Sequence, residues 1–170
     1  AEELDDLDRF HDLTVLEVVA AWQRLASTAA AGAARAAAAL SRRACVQVPE
    51  GPVPVGRGHR RYSTLRATGT EIAIRTGCTV RSGELLAHDG RLFEGLLSAT
   101  GSALARGQID LRKARAVANR LVDLPMETAL DVQAAVLPGA GLRSPAQVDR
   151  DLGRALAALD TAESTARHRR

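Results

Sequence analysis

Thr70-Glu71-Ile72-Ala73-Ile74-Arg75-Thr76-Gly77-Cys78-Thr79-Val80-Arg81-Ser82, continuing as Gly83-Glu84-Leu85-Leu86, writes two short helical units about a glycine. Ala73 is a small residue placed where a second helix must cross closely. Gly77 follows four residues later, where the turn needs a backbone that accepts positive φ. Thr79 offers a hydroxyl to cap the second helix, and Val80, Leu85 and Leu86 are there to pack it. This is the grammar of a helix-turn-helix over residues 70–86. In that geometry the first residues of the second helix, Thr79, Arg81 and Ser82, face base edges or phosphates. An ordinary two-helix corner uses Ala and Gly the same way.

Working outward, the composition predicts an all-α fold. Alanine and leucine dominate, aromatics are 2% of the chain, and β-branched runs are scarce. With 170 residues the chain can bury one good core, or one core plus an appended long helix. We therefore expect a helical bundle with a long N-terminal helix and a helix-turn-helix-like core. Its three parts are residues 1–45 (a packing or dimerisation helix), 46–66 (a linker) and 67–170 (a helical domain).

The N-terminal helix is expected over Thr14–Arg43, opened by a capping box in which Glu17 reaches back to Thr14. Apolar residues recur at Val15, Val18, Trp22, Leu25, Ala29, Ala33, Ala36 and Leu40, spaced by three or four. The large-residue first half is expected to hold the core contact. The alanine second half is expected to admit a close neighbour, from this chain or a second subunit. Trp22, Leu25, Ala29 and Ala33 are the candidate interface, with a homodimer as the partnership they would serve. Pro49, Pro52 and Pro54 with Gly51, Gly56 and Gly58 then break any helix, and the arginines at 57, 60 and 61 make the linker's end basic.

Beyond the corner, a helix is expected over Arg91–Arg106, stopped by Gly107. Asp110 caps the next, which runs through Leu121 with Leu111, Ala114, Val117, Ala118 and Leu121 inward and Arg112, Lys113, Arg115, Asn119 and Arg120 outward. Pro125 takes the first position of a helix whose apolar side is Met126, Ala129, Leu130, Val136 and Leu137. Pro138 to Gly141 reads as a turn, and Ser144-Pro145-Ala146-Gln147 as a second capping box. The last helix sends Val148, Leu152, Leu156 and Leu159 to the core.

Charge is unevenly divided. Residues 1–40 hold three arginines and seven acids, residues 41–120 fourteen basic residues and six acids, and residues 121–170 six arginines and seven acids. The positive segment contains the corner, so phosphate attraction would act there. Arg75, Arg112, Lys113 and Arg115 are the candidate phosphate contacts. A solvated arginine face is the plain alternative.

Catalytic patterns do not stand out. His11, His59, His88 and His168 are isolated from one another in sequence, and His88-Asp89 reads as a helix-end pair for capping. No Gly-rich phosphate loop or Ser/His/Asp order appears. We expect no catalytic residue, no metal ligand and no cofactor in this chain, and no small-molecule substrate. Cys45 and Cys78 form no Cys-x-x-Cys pair and read as buried or half-buried thiols in a reducing cytoplasm. No apolar run is long enough to cross a bilayer.

The order of these pieces resembles the actinobacterial family called domain of unknown function 222. The likeness runs from Glu71-Ile72-Ala73 to Ala103-Leu104-Ala105-Arg106-Gly107-Gln108-Ile109-Asp110-Leu111-Arg112-Lys113-Ala114-Arg115. It continues through Leu124-Pro125, Ser144-Pro145-Ala146-Gln147-Val148 and Asp160-Thr161-Ala162-Glu163. The resemblance implies a domain lying ahead of an HNH nuclease domain, so that cutting residues and their divalent metal would lie beyond Arg170. The stretch is also similar, at motif level, to the helix-turn-helix core of the ParB family, in which a glycine and an Ala-Arg-Ala helix follow; here these are Gly107-Gln108-Ile109 and Ala114-Arg115-Ala116. Two departures stand out: Gly83 would loosen the recognition helix, and Glu84 would repel phosphate if it faced the groove. Together these readings predict a non-catalytic domain binding or positioning DNA, in the cytoplasm and associated with the nucleoid. The alternative is an interaction or dimerisation module without DNA contact.

Overall fold

In the computed structural model, residues 7–43, 45–47 and 63–168 are described. They form a short 3-10 turn and seven helices: α1 Asp12–Ser41, α2 Thr64–Thr76, α3 Val80–Glu94, α4 Ser98–Ala105, α5 Leu111–Leu121, α6 Met126–Ala140 and α7 Pro145–His168. Among the described residues there is no strand, and the all-α bundle with its long first helix is the observed fold. The proline-rich stretch with its three arginines lies outside the described residues.

The helix ends follow local chemistry. Ser63 accepts the Arg66 N–H at the start of α2, Thr79 accepts the Ser82 N–H at the start of α3, and Asp110 accepts the Lys113 N–H at the start of α5. Ser144 and Gln147 form the reciprocal box that opens α7, with contacts of 2.7 and 3.3 Å. Gly77 (φ 72°) and Gly107 (φ 67°) take the left-handed conformation after α2 and α4. At α1 the cap differs from expectation. His11 accepts the Leu13 N–H through Nδ1, the helix starts at Asp12, and Thr14 and Glu17 fall inside it.

What assembles α1, α2 and α3 is backbone lying on backbone. A Cβ added at Gly90 of α3 would sit 1.9 Å from the Ala34 carbonyl oxygen of α1. One added at Gly83 would sit 2.5 Å from the carbonyl oxygen of Gly69 in α2. The α2–α3 crossing is therefore at Gly69 and Gly83, one helical turn before Ala73. Gly83, expected to loosen the helix, is the residue that lets it dock. Opposite Gly90, only alanine and serine fit on α1, so Ala31, Ala34, Ala37, Ala38 and Ser41 are buried.

This reverses the expected roles of the two halves of α1. The alanine half carries the core contact, and no residue of α1 before Ser27 is buried. Trp22 and Leu25 are exposed, as are Ala29, Ala33 and Ala36 on the outer side of the alanine half. The large side chains do not fit where two backbones touch.

The second half of the chain closes over a larger-residue core. Phe93, Leu97, Leu104, Ile109, Val117, Leu121, Val132, Val148 and Leu152 are buried together. Buried Gln133 spans the layers: its Oε1 accepts from the Thr100 N–H and hydroxyl, and its Nε2 donates to the Leu96 and Ala129 carbonyls. Every polar atom of this amide side chain is thus occupied, which is what makes its burial tolerable.

Two boundaries and one helix face depart from expectation. The single helix expected over 91–106 is divided, because Gly95 leaves helical geometry (φ −108°, ψ −119°) and α4 restarts at Ser98. Helix α6 continues through Pro138 to Ala140, where a turn was expected. Proline in a last helical turn forfeits one hydrogen bond, and its fixed φ suits the helix. Met126 and Leu130 of α6 point to solvent, leaving Ala129, Val132 and Val136 as the buried row.

The backbone contact makes a signed prediction. Gly90→Ala lowers stability by about 1–3 kcal/mol through overpacking, despite alanine's higher helix propensity. Gly32→Ala, where nothing lies within 4 Å of the added carbon, raises stability by about 0.5–1 kcal/mol. Urea unfolding of the two variants checks both signs.

Candidate nucleic-acid interface

The corner between α2 and α3 consists of Gly77, Cys78 and Thr79. Gly77 donates its N–H to the Ala73 carbonyl at 2.9 Å, ending α2, and the left-handed turn releases the chain directly into the next cap. Thr79 Oγ1 serves that cap and also lies 2.9 Å from the Ser82 hydroxyl. Thr79, Arg81 and Ser82 are all exposed, with the Arg81 side chain 75% accessible. Arg75, in the last turn of α2, is exposed beside them in sequence.

Glu84 does not stand toward solvent as a repelling charge. Its side chain is 18% accessible, with one oxygen 3.6 Å from Arg66 and the other 3.6 Å from Arg81. Two guanidinium groups flank the carboxylate, so the corner carries a net positive charge.

The α5 candidates part company. Arg112 is exposed and, among the described residues, has no carboxylate partner. Lys113 turns inward: its side chain is 11% accessible and its ammonium donates to the Gly141 carbonyl at 3.1 Å, just past α6. There the positive end meets the unsatisfied carbonyls of a helix C-terminus. The amphipathic reading of α5 had placed Lys113 outward, but the length of its stem lets it cross to α6. Arg115 Nε donates to Asp89 at 2.7 Å, and Asp89 is buried within α3. His88-Asp89 is thus mid-helix, not a helix end. Asp89 serves as the internal anchor of Arg115, twenty-six positions away, a pairing that no local spacing could announce. Arg120, also expected outward, forms a two-pronged bridge to Asp149 of α7 at 2.9 and 3.3 Å. That hydrogen bond holds the Asp149 carboxyl below its ordinary pKa.

Arg81, Glu84, His88 and Asp89 on α3 and Arg115 and Asn119 on α5 line a cleft of about 600 Å³. Lys113 and Arg112 are not among the residues that line it. The candidate interface set, Trp22, Leu25, Ala29 and Ala33, is exposed on α1. Sequence reading passed over Phe10, Leu13, Leu16 and Val19, which are exposed as well. The signal was present, since Leu13 to Leu25 is apolar on nearly every side, a pattern that a single-stripe periodicity overlooks.

Among the described residues no three His, Cys, Asp or Glu side chains come together to hold a metal, and no helix is long and apolar enough to cross a membrane. Cys45 is exposed, contrary to expectation, and Cys78 is half-buried; neither forms a disulfide.

The Asp89–Arg115 pair separates a structural arginine from a surface one. Arg115→Gln leaves a buried carboxylate short of its donor and lowers stability by about 1–3 kcal/mol. Adding Asp89→Asn restores most of the loss, and Arg112→Gln changes little; denaturant unfolding of the four chains gives the comparison. No family model, curated protein or solved structure matches this chain.

Proposed function

We propose that this chain is a non-catalytic helical domain of an HNH-endonuclease-type protein, and that its α2–α3 corner holds duplex DNA for a nuclease domain elsewhere in that protein. The observation that carries the reading is the exposed first turn of α3: Thr79, Arg81 and Ser82 stand past a left-handed glycine, with Arg75 before them. Such a turn brings hydroxyls, a guanidinium and the positive end of a helix to one place, which suits phosphate and groove contact. The resemblance to the domain of unknown function 222 family supplies the nuclease context. Arg75 and Arg81 carry the phosphate contacts in this account, with Arg112 as an outlying one. Lys113 and Arg115 are assigned to the fold. A nucleoid-associated, cytoplasmic location follows from the same reading.

A second reading is favoured by its own observation. The first half of α1 leaves large apolar side chains in solvent, which marks a protein-contact surface. The two are compatible, because helix-turn-helix domains commonly act as dimers.

Fluorescence anisotropy with duplex DNA at two salt concentrations tests the first. The double variant Arg75→Gln, Arg81→Gln should weaken binding by about tenfold or more and reduce the salt slope by about two. Arg150→Gln on α7 should change neither. Equal affinity and equal slope in the double variant would remove the DNA assignment.

A further inference from the structure

The cleft between α3 and α5 is built from whole helix faces. Arg81, Leu85, His88 and Leu92 line it from α3 and fall within about 60° of arc on that helix. Arg115, Asn119 and Val122 do the same on α5, and Ser63 and Leu65 join them from the start of α2. Glu84 and Asp89 flank the α3 row on opposite sides. The first is paired with Arg66 and Arg81, the second with Arg115. A guanidinium thus stands at each flank, and between them lie the half-buried Leu85, Leu92 and Val122.

The fold holds Arg115 by one edge only. Its Nε donates to buried Asp89 at 2.7 Å, and among the described residues its two terminal nitrogens have no partner. Their N–H donors are aimed by a buried carboxylate yet unspent, on a side chain that is 40% accessible. The Arg81 head is looser, 3.6 Å from Glu84. With Arg66, three guanidinium groups face two carboxylates, which leaves one net positive charge. The side chains of His88 and Asn119 have no hydrogen-bond partner among the described residues and add donors and acceptors to the lining.

We propose that this cleft holds one unpaired nucleotide of a DNA strand, its base against Leu85, Leu92 and Val122 and its phosphates at Arg81 and Arg115. The inference rests on the DNA reading of the α2–α3 corner, with which it shares Arg81. A cleft of about 600 Å³ with a partly apolar lining and a few convergent polar groups is of small-ligand size. The carboxylates that hold the two arginines, Glu84 and Asp89, have Cα atoms about 9 Å apart by helix geometry. One nucleotide with a phosphate at each end can bridge that gap. A base paired within a duplex cannot reach the lining, so the occupant is a single strand or a nucleotide turned out of the stack. An extended peptide fits less well, because the backbone groups of α3 and α5 are spent within their helices and offer it no partners.

Fluorescence anisotropy of the whole chain with a short labelled oligothymidylate tests this. The strand should bind with a dissociation constant of about micromolar order, and an abasic strand of equal length about fivefold or more weaker. Arg115→Gln with Asp89→Asn removes the guanidinium without stranding a buried charge, and circular dichroism checks that it folds. This double variant should weaken the thymidylate strand by about tenfold or more and duplex DNA by about threefold at most. The His88 ring resonances, recognised by their loss in His88→Gln, should shift with the thymidylate strand and not with the abasic one. Equal affinity for the two strands, or a strand indifferent to the double variant, overturns the inference; so does a duplex weakened as much as the strand. If duplex binding still falls in Arg75→Gln, Arg81→Gln, the corner reading survives that failure. Absence of binding to either nucleic acid removes both. Thymidine monophosphate that displaces the strand at equal concentration would give the cleft to a free nucleotide, and a peptide ending in leucine that does so would give it to a protein; either overturns the assignment to a strand.

Discussion

The contact between Gly90 of α3 and Ala34 of α1 sets the terms for the rest of the molecule. A carbon atom there would lie 1.9 Å from a carbonyl oxygen, so the two helices meet with nothing larger than a methyl group between them. Gly69 and Gly83 do the same for α2 and α3. Close approach replaces area burial with dense dispersion contact, and it sorts residues by size. Alanines are drawn into the seam, and the leucines, valines and tryptophan of α1 are left outside it. The exposed apolar segment is thus a direct result of how the first three helices pack. It is not a defect in patterning.

The same packing fixes the corner. Because α2 lies on α3 through Gly69 and Gly83, the turn at Gly77 projects from the crossing, and Thr79, Arg81 and Ser82 remain outside it. The basic residues of the middle segment then divide into two groups. Lys113, Arg115 and Arg120 tie α5 to the α6 end, α3 and α7 respectively. Arg75, Arg81 and Arg112 stay on the surface. A count of positive charges could not make that division, since the carboxylates and carbonyls that claim three of them come from distant parts of the chain.

Local features were therefore legible and distant ones were not. Caps at Thr79, Asp110 and Ser144, left-handed glycines at 77 and 107, and the inward row of α5 all follow from short-range rules. Residue size across a helix interface is a property of the pair. Ala73 looked like the crossing point because it lies near the turn, yet Gly69 has less bulk and faces Gly83. Leu13 to Leu25 looked like core because large apolar residues usually are. Nothing within α1 says that its neighbour is a glycine. Gly95 and Pro138 mislead in opposite directions: one glycine ends a helix in mid-pattern, and one proline fails to.

The division of α1 can be observed directly by hydrogen exchange followed by mass spectrometry at low and high protein concentration. The account predicts that amides from Ala31 to Ser41 exchange slowly at both concentrations, because they belong to the packed body. Those from Leu13 to Gln23 should exchange faster at both, because no residue there is buried in the body. Uniform protection along the whole helix at both concentrations, or an alanine half that exchanges as fast as the leucine half, would contradict it.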